Sequence, residues 1–174
     1  DYKELQEDPL ETALRRIASE GEVDWDRDEM ISGGAPDFAK TMVWPIRTGH
    51  RSRGFKRGSG GRHAGVDLTA PTGTPIYAVL DGIVEVVSNG GAGFRGYGKV
   101  ILINHQGKLW SLYSHNSSNL VRVGQRVSQG DKIALVGSTG RTTASHVHFE
   151  IRNSRGVALD PLKYLPKAGD LPTW

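Results

Sequence analysis

Short apolar runs, separated by turns that contain glycine, follow one another from residue 64 to residue 152. The stretch KVILINHQGKLWSLYSH alternates apolar and polar residues on both sides of HQGK, which predicts a β-hairpin. The stretch TPIYAVLDGIVEVVSN predicts two short strands with a turn at Asp81-Gly82, and VRVGQRVSQGDKIALVG predicts further strands broken at glycines. The closing segment DPLKYLP predicts a turn or a single helical turn. Because no helix of any length is visible in this stretch and 23 of the 174 residues are glycine, the sequence predicts an all-β domain, mainly an antiparallel β-sheet.

The beginning of the chain differs in charge from the remainder. Residues 1–30 carry 11 acidic and 4 basic residues, whereas the rest of the chain carries 8 acidic and 18 basic residues. We therefore predict an acidic arm or linker with one short helix over residues 1–40, a basic β-rich domain over residues 41–166 and a tail over residues 167–174. A basic body favours an anionic partner such as nucleic acid, a lipid surface or an acidic cell-wall polymer.

The acidic arm contains one clear helix signal in EDPLETALRRIASEGE. Asp8 is a suitable N-cap and Pro9 fits the first helical position. The apolar stripe of this short helix consists of Leu10, Leu14 and Ile17. The stripe needs a surface to pack against, and we expect one of three arrangements: an intramolecular contact that restricts a groove on the basic body, packing elsewhere, or a link to another domain.

Composition excludes several classes of site and location. The chain has no cysteine, so disulfides and thiolate zinc sites are excluded and any metal must be held by His, Asp or Glu. No apolar run approaches the roughly 18 residues that a membrane-spanning helix needs. Because the chain begins at Asp1 without a signal-peptide pattern, we expect a processed or truncated form that lacks its targeting segment.

A basic, glycine-rich segment lies between Arg47 and Arg62 and contains no acidic residue. Such a segment could cradle phosphate, but it does not fit the phosphate-loop pattern, so a solvated surface loop is the alternative interpretation. Nucleic-acid binding is disfavoured because aromatic and basic residues are not interleaved.

The segment HVHFEIR places two histidines and a carboxylate two positions apart in a strand. Because side chains alternate between the faces of a strand, His146, His148 and Glu150 should lie on one face. The residues predicted to face the core are Val147, Phe149 and Ile151. A polar stripe that faces solvent is the alternative interpretation of the histidine face.

Three further residues complete a set that could perform metal-dependent hydrolysis. His63 and Asp67 occur in GRHAGVDL, and His115 ends SLYSH. A catalytic zinc ion takes three His or carboxylate ligands and leaves a fourth position for water. Hydrolysis then needs separate groups that accept the proton and stabilise the developing oxyanion. Three ligands and two additional imidazoles would supply all of these roles.

Seven segments together resemble a known family: HAGVDL, GTPIYAVLDGIV, YGKVILINH, SLYSH, VRVGQRVSQGDKIALVGSTGR, HVHFEIR and DPLKYL. In order and spacing they are similar to the lysostaphin/LytM-type zinc metallopeptidases, over about residues 42–166. The resemblance implies an open β-sandwich with a groove and an endopeptidase that cleaves peptidoglycan in the bacterial cell envelope. It implies peptidoglycan stem peptides as partners, and neither nucleic acid nor a membrane span.

The same resemblance implies a role for each of five residues. His63, Asp67 and His148 resemble the ligands of a single Zn²⁺ ion. His115 and His146 resemble the catalytic imidazoles, which orient or deprotonate water and stabilise the tetrahedral intermediate.

Four other residues receive weaker predictions. Glu150 is a candidate partner that orients a metal ligand, with a surface position as the alternative. Tyr113 is a candidate substrate-binding residue on the same face as His115, with a core or rim position as the alternative. His50 and His105 match no role in the family and are predicted to be structural or surface residues.

The sequence departs from the family pattern at two places. Gly-Pro commonly precedes the histidine pair, whereas this chain has Ala144-Ser145. Relatives that cut glycine bridges carry a tyrosine shortly before the first ligand, but GFKRGSGGR contains none. We therefore expect direct cross-links between stem peptides as the substrate.

Two non-enzymatic alternatives remain. Some proteins that resemble these peptidases have lost metal ligands and regulate the cell wall, for example by activating amidases. This chain keeps all three ligand positions, which favours the enzyme. A carrier domain with an attachment site at Lys132 would explain the hairpin rhythm around it but none of the histidines.

Overall fold

The computed structural model describes residues 42–56, 63–91, 94–142 and 144–167. The predicted acidic arm, its helix and its contact with a groove lie outside these residues, as do the last seven residues of the predicted tail. The structure describes the basic segment between Arg47 and Arg62 only as far as residue 56.

Strands make up most of the regular structure in the described residues. They are β1 (His50–Arg53), β2 (Val66–Thr69), β3 (Pro75–Tyr77), β4 (Gly82–Ser88), β5 (Lys99–His105), β6 (Leu109–Asn116), β7 (Ser118–Asn119), β8 (Arg126–Val127), β9 (Lys132–Leu135), β10 (His146–Asn153) and β11 (Ala158–Leu159). Two short 3₁₀ helices, Arg95–Tyr97 and Pro161–Lys163, complete the list.

The strands form two antiparallel sheets. The larger sheet has the order β1-β2-β10-β6-β5-β4-β8, with β11 paired to β10, and the smaller sheet has the order β3-β9-β7. The four longest strands, β4, β5, β6 and β10, are neighbours in the interior of the larger sheet. The predicted all-β, mainly antiparallel fold is therefore confirmed.

The main hydrophobic core lies where the smaller sheet covers one face of the larger sheet. Side chains of β10 follow strict alternation here, because Val147, Phe149 and Ile151 are fully buried in this core. Ile76 from β3 and Ile133 from β9 belong to the same core and come from the smaller sheet. The predicted inward face of β10 is confirmed.

The opposite face of the larger sheet is also covered. A second apolar cluster forms there from Phe94, Val100, Leu102, Trp110 and Leu112. The histidine face of β10 is therefore not a stripe that faces solvent, because both of its histidines are at most 8% exposed and its carboxylate is fully buried.

The hairpin predicted around HQGK is confirmed between β5 and β6. Gln106 and Gly107 both adopt positive φ angles, of 60° and 68°, as tight hairpin turns require. In contrast, the turn at Asp81-Gly82 does not join a hairpin, because β3 and β4 belong to different sheets. A side chain at Gly82 would lie 2.6 Å from the carbonyl oxygen of Asn104, so only glycine fits where the chain enters the larger sheet.

The predicted closing turn is confirmed as a 3₁₀ helix over Pro161–Lys163. Asp160 caps it, since its carboxylate accepts a hydrogen bond from the backbone N–H of Leu162 at 3.1 Å. Within the described ranges, no helix has the length and apolar character that crossing a membrane requires.

Candidate metal centre

The register between β2 and β10 places a carboxylate beside an imidazole. His148 lies directly opposite Asp67, and directly opposed residues project from the same face of a sheet. Nδ1 of His148 is 2.8 Å from Oδ1 of Asp67. His63, just before β2, brings its Nε2 to 3.2 Å from the same oxygen. One ligand atom from each of these three residues lies within 4.8 Å of the other two.

His115 reaches the cleft because its backbone breaks the alternation of β6. Ser114 lies opposite His148, so a regular strand would turn the next side chain toward the core. His115 instead adopts φ = 64°, which is uncommon for a residue with a side chain. Its ring centroid lies 4.8 Å from that of His146 and 6.1 Å from that of His148.

Backbone carbonyls set the tautomers of three histidines. Nδ1 of His63 lies 2.8 Å from the carbonyl oxygen of Gly54, Nδ1 of His115 lies 2.7 Å from that of Thr139, and Nδ1 of His146 lies 2.9 Å from that of Ala144. A carbonyl can only accept a hydrogen bond, so each Nδ1 carries the hydrogen. In its neutral form, each of these rings therefore has its lone pair on Nε2.

His148 has the opposite arrangement. Its Nε2 lies 2.8 Å from Oε1 of Glu150, while its Nδ1 faces Asp67. The carboxylate of Glu150 accepts the Nε2 hydrogen, which leaves Nδ1 as the nitrogen available to a metal.

The donor set fits a divalent cation. Nε2 of His63 and Nδ1 of His148 lie 3.2 and 2.8 Å from the same oxygen of Asp67, and such lone pairs repel unless a proton or a cation lies between them. Bonds of about 2.0–2.1 Å in a tetrahedral zinc site separate ligand atoms by about 3.3 Å. Two imidazoles and one carboxylate match the ligand sets of catalytic zinc.

The metal-free protonation states follow from the same contacts. Burial opposes charge on His148, but hydrogen bonds to Asp67 and Glu150 and their negative charges outweigh it and raise the pKa of His148 to about 9. For Asp67, burial acts in the raising direction, but the hydrogen bond and the positive charge of His148 lower its pKa below the ordinary value. A proton on His148 thus occupies the position that a cation would take.

His115 is held neutral. Burial of the ring lowers the pKa of His115 to about 4, and electrostatic interaction with the neighbouring His146 and His148 acts in the same direction. The hydrogen bond to the Thr139 carbonyl opposes this effect without overcoming it. At pH 7, His115 is therefore a neutral imidazole with a fixed tautomer.

Glu150 belongs to a buried ionic network behind His148. Its Oε2 accepts a hydrogen bond from Nε of Arg152 at 2.8 Å, and its Oε1 accepts one from the hydroxyl of Tyr97 at 3.2 Å. Nη1 of Arg152 donates to the carbonyl oxygen of Gly156 at 2.8 Å. Burial disfavours the charge of Glu150, but His148 and Arg152 outweigh that effect and lower its pKa. The network therefore keeps the Glu150 carboxylate negatively charged beside Nε2 of His148.

Two glycines interlock the loops beside the cleft. A side chain at Gly98 would lie 2.4 Å from the carbonyl carbon of Thr139, and one at Gly140 would lie 2.3 Å from the nitrogen of Gly98. Both glycines adopt positive φ angles, of 64° and 78°. Because the Thr139 carbonyl binds His115, this close packing fixes the position of the imidazole.

These residues share a cleft of about 740 Å³. Its described lining consists of Arg53, His63, Asp67, Gly96, Tyr97, His115, Gly140, Arg141, Thr142, His146 and His148. All five residues predicted as ligands or catalytic imidazoles therefore line one cleft.

The sequence profile of peptidase family M23 matches residues 61–161, which is more than half of the chain and contains all five residues. The chain belongs to peptidase family M23. The recognition of a lysostaphin/LytM-type domain from the sequence is thereby confirmed.

Curated relatives of this M23 chain include a lipoprotein and an activator of murein hydrolases. It is 41% identical over 141 residues to the uncharacterized lipoprotein YgeR of Escherichia coli K12, covering 81% of this chain and 53% of that protein. It is 41% identical over 127 residues to the murein hydrolase activator NlpD of the same organism, covering 73% and 32%. The chain thus spans about half of one relative and a third of the other.

Solved structures of M23 peptidases share the fold. A zinc-containing peptidase from Vibrio cholerae is 33% identical with a TM-score of 0.63, covering 76% of this chain and 41% of that chain. The catalytic domain of lysostaphin from Staphylococcus simulans is 32% identical with a TM-score of 0.58, covering 67% and 91%.

The prediction that Tyr113 lines the groove of this M23 domain is wrong. Tyr113 is fully buried on the core side, where its ring packs against Phe149 at a centroid distance of 5.3 Å. Its hydroxyl accepts a hydrogen bond from the N–H of Val79 at 3.0 Å and contacts Oγ of Ser111 at 2.9 Å. The prediction assumed that Tyr113 and His115 share a face, but the left-handed conformation of His115 puts them on opposite faces.

The two remaining histidines lie away from the cleft, as predicted. His50 is exposed on β1. His105 is fully buried, with Nδ1 at 2.7 Å from the carbonyl oxygen of Asp81 and Nε2 at 2.7 Å from Oγ of Ser111.

Sequence reasoning missed the groups that surround the predicted residues. Tyr97, Arg53 and Arg141 line the cleft, and Arg152 holds Glu150. Tyr97 carried a usable signal, because it stands between two glycines directly before a strand. The carbonyls of Gly54 and Thr139 carried none, since any residue supplies a carbonyl.

Proposed function

We propose that the chain contains, over residues 41–166, a zinc-dependent endopeptidase that hydrolyses peptide cross-links of bacterial peptidoglycan. The observation that carries this proposal is the convergence of His63, Asp67 and His148 within 4.8 Å, beside two further histidines with fixed tautomers. A structural zinc site would need a fourth protein ligand and would have no use for two further imidazoles beside it.

The proposed assignment gives each ring nitrogen a task. Nε2 of His63, one carboxylate oxygen of Asp67 and Nδ1 of His148 would hold the ion. A bound zinc ion would acidify a water molecule and polarise a peptide carbonyl. The residues around it would then complete hydrolysis by moving protons and stabilising charge.

His115 and His146 are suited to that second task. Neutral His115 offers the Nε2 lone pair to a water proton, because its Nδ1 hydrogen is committed to Thr139. Nε2 of His146 lies 3.6 Å from Oδ1 of Asp67, which puts this ring at the edge of the donor set. Once protonated, either imidazole can donate a hydrogen bond to the oxyanion and a proton to the leaving amine.

The names of the relatives support the proposed substrate and location. The names murein hydrolase activator, for the NlpD relative, and antimicrobial peptidase, for lysostaphin, both support a bacterial cell-wall substrate. The lipoprotein relatives support a place in the cell envelope. We propose peptidoglycan stem peptides as the partner, in an open cleft that accepts an extended chain.

A second function is favoured by one specific observation. The NlpD relatives, 41% identical, are named as activators of murein hydrolases. In this role, the cleft or its rim would bind an amidase and would cleave nothing itself. The complete donor set supports the enzyme over the activator, because the activators that the family resemblance implies have lost metal ligands.

Digestion of purified peptidoglycan sacculi separates the two functions. Zinc-loaded protein would be incubated with sacculi, and the released muropeptides would be identified by mass spectrometry. His148→Ala removes a proposed ligand, and His50→Ala serves as the matched control because it removes an exposed histidine that does not line the cleft. We expect loss of cross-linked dimers with wild type and His50→Ala, but not with His148→Ala.

A parallel digestion with a purified cell-wall amidase tests the activator. If the zinc-loaded protein releases nothing alone but accelerates the amidase, with or without His148, then the enzyme proposal is wrong and the activator is supported. The masses of the products also identify the bond that is cut.

A further inference from the structure

The cleft is positively charged on both sides of the histidine cluster. Among the described residues that line it, Asp67 is the only acid, whereas Arg53 and Arg141 contribute two guanidinium groups. Both arginines are exposed, so their guanidinium groups can contact a bound molecule. The other buried acid nearby, Glu150, is already neutralised by Arg152.

The two arginines lie on opposite sides of the metal ligands. Arg53 on β1 is directly opposite Asp67 on β2, so the two side chains project from the same face. Arg141 lies on the far side of β6. Its N–H donates to the carbonyl oxygen of Gly96, just before β5, and Thr139 in the loop of Arg141 binds His115 at the end of β6. The order β1-β2-β10-β6 therefore puts the cluster between them.

This spacing matches a short length of extended peptide. Neighbouring strands lie about 4.8 Å apart, so β1 and β6 are about 14 Å apart. An extended chain rises about 3.3 Å per residue, and about four residues would therefore cover this distance. A peptide whose reacting carbonyl lies at the cluster would bring the residues on either side of that bond close to Arg53 and Arg141.

We propose that Arg53 and Arg141 are specificity-determining residues, which bind free carboxylates on the two sides of the scissile bond. The ligand class is an anionic peptide, because a guanidinium group binds a carboxylate through two parallel hydrogen bonds. This inference rests on the proposed function and narrows its substrate. It selects stem-peptide cross-links that carry free carboxylates over glycine bridges, which carry none near the bond.

A matched pair of synthetic peptides tests the inference. One is a fluorescently labelled cross-linked stem-peptide dimer with free carboxylates, and the other is the same dimer with every carboxyl group amidated. Binding is measured by fluorescence anisotropy with the zinc-loaded full chain carrying His115→Ala, so that the peptide is not consumed. Cleavage of both peptides is measured separately with the zinc-loaded wild-type chain.

Arginine variants show whether the cleft is responsible. Arg53→Gln and Arg141→Gln remove the proposed contacts. Arg51→Gln, on the same strand as Arg53, and Arg122→Gln, in an exposed turn, remove equal charge outside the cleft lining. We expect each cleft variant to weaken binding of the free-carboxylate peptide about three- to tenfold, and each control variant by less than twofold. Binding of the amidated peptide should not change.

The inference is overturned if both peptides bind with equal affinity, or if the control variants lose as much affinity as the cleft variants. In the second case, general charge attraction would account for binding. Failure of the proposed function looks different, because the zinc-loaded wild-type chain would then cleave neither peptide. Cleavage of both peptides at equal rates would support the function and overturn the inference.

Discussion

Glu150 accepts a hydrogen bond from Nε2 of His148 at 2.8 Å, while Nδ1 of the same ring lies 2.8 Å from Asp67. One buried carboxylate therefore determines which nitrogen of His148 is available to a metal and makes that nitrogen more basic. The hydroxyl of Tyr97 and the guanidinium group of Arg152 in turn fix the two oxygens of Glu150.

Glu150→Gln should weaken zinc binding about 10- to 100-fold, because the amide keeps the shape but removes the negative charge behind His148. Zinc affinity would be measured by competition with a chromophoric chelator. Tyr97→Phe is the companion variant, since it removes one hydrogen bond to Glu150 and leaves the charge in place, and it should cost less than tenfold. Equal zinc affinity in wild type and Glu150→Gln would show that the carboxylate does not tune the ligand.

Gly98→Ala should lower the rate of peptide cleavage by about tenfold or more, with zinc affinity nearly unchanged. The added methyl group would lie 2.4 Å from the carbonyl carbon of Thr139, and the oxygen of this carbonyl positions His115. The proposed zinc ligands are not part of this contact. Gly124→Ala controls for backbone strain, because Gly124 also has a positive φ angle, of 86°, but an open environment. Gly124→Ala should lose about 1 kcal/mol of unfolding free energy through its positive φ angle alone, and Gly98→Ala should lose more, because its methyl group also meets the backbone of Thr139. Equal cleavage rates in the two variants would contradict the interlock.

Tyr113→Phe should lower the unfolding free energy by about 1–3 kcal/mol without affecting zinc binding or cleavage. The tyrosine hydroxyl accepts the buried N–H of Val79, which would lose its partner. Denaturant unfolding and the sacculus digest would be compared on the same preparation. A large loss of cleavage with unchanged stability would return Tyr113 to the groove and contradict its burial.

His105 should make the protein less stable in acid. Burial lowers the pKa of His105 from 6.5 to about 4, against the opposing hydrogen bond to Asp81. Between these two pH values the unfolded chain binds a proton that the folded chain does not, so the unfolding free energy falls as pH falls. The unfolding free energy therefore decreases by about 3 kcal/mol between pH 6.5 and pH 4, and above pH 6.5 this decrease is absent.

The test of this pH dependence compares wild type with His105→Gln in denaturant unfolding at pH 7, 5.5 and 4. The stability advantage of wild type over the variant should shrink steadily across this range. A difference that stays constant with pH would mean that His105 titrates alike in the folded and unfolded chains.

Local patterns were sufficient to predict most of the strands and the members of the candidate site, but β1 lies in the basic segment that was interpreted as a loop. Alternation along β10 correctly assigned Val147, Phe149 and Ile151 to the core, because a strand repeats every two residues regardless of its partners. The hairpin between β5 and β6 was equally readable from its turn residues. The roles of the five cleft residues remain predictions.

Alternation failed where the backbone leaves the strand conformation. The positive φ angle of His115 reverses its side, so Tyr113 was assigned to the wrong face. Contacts between segments distant in sequence were also unreadable, such as Gly98 against Thr139 and Tyr97 against Glu150. No local period encodes these contacts, because they arise only when the two sheets and their loops pack.

The central claim is that one divalent ion on His63, Asp67 and His148 is required for cleavage. The most direct measurement is muropeptide release from sacculi by chelator-stripped protein as zinc is added back in fractions of an equivalent. We predict that the rate of muropeptide release rises with added zinc and saturates at one ion per chain. His115→Ala should bind the ion but release muropeptides at least about 100-fold more slowly than wild type. Stripped protein that releases muropeptides at the full rate, or zinc-saturated protein that releases none, would contradict the account.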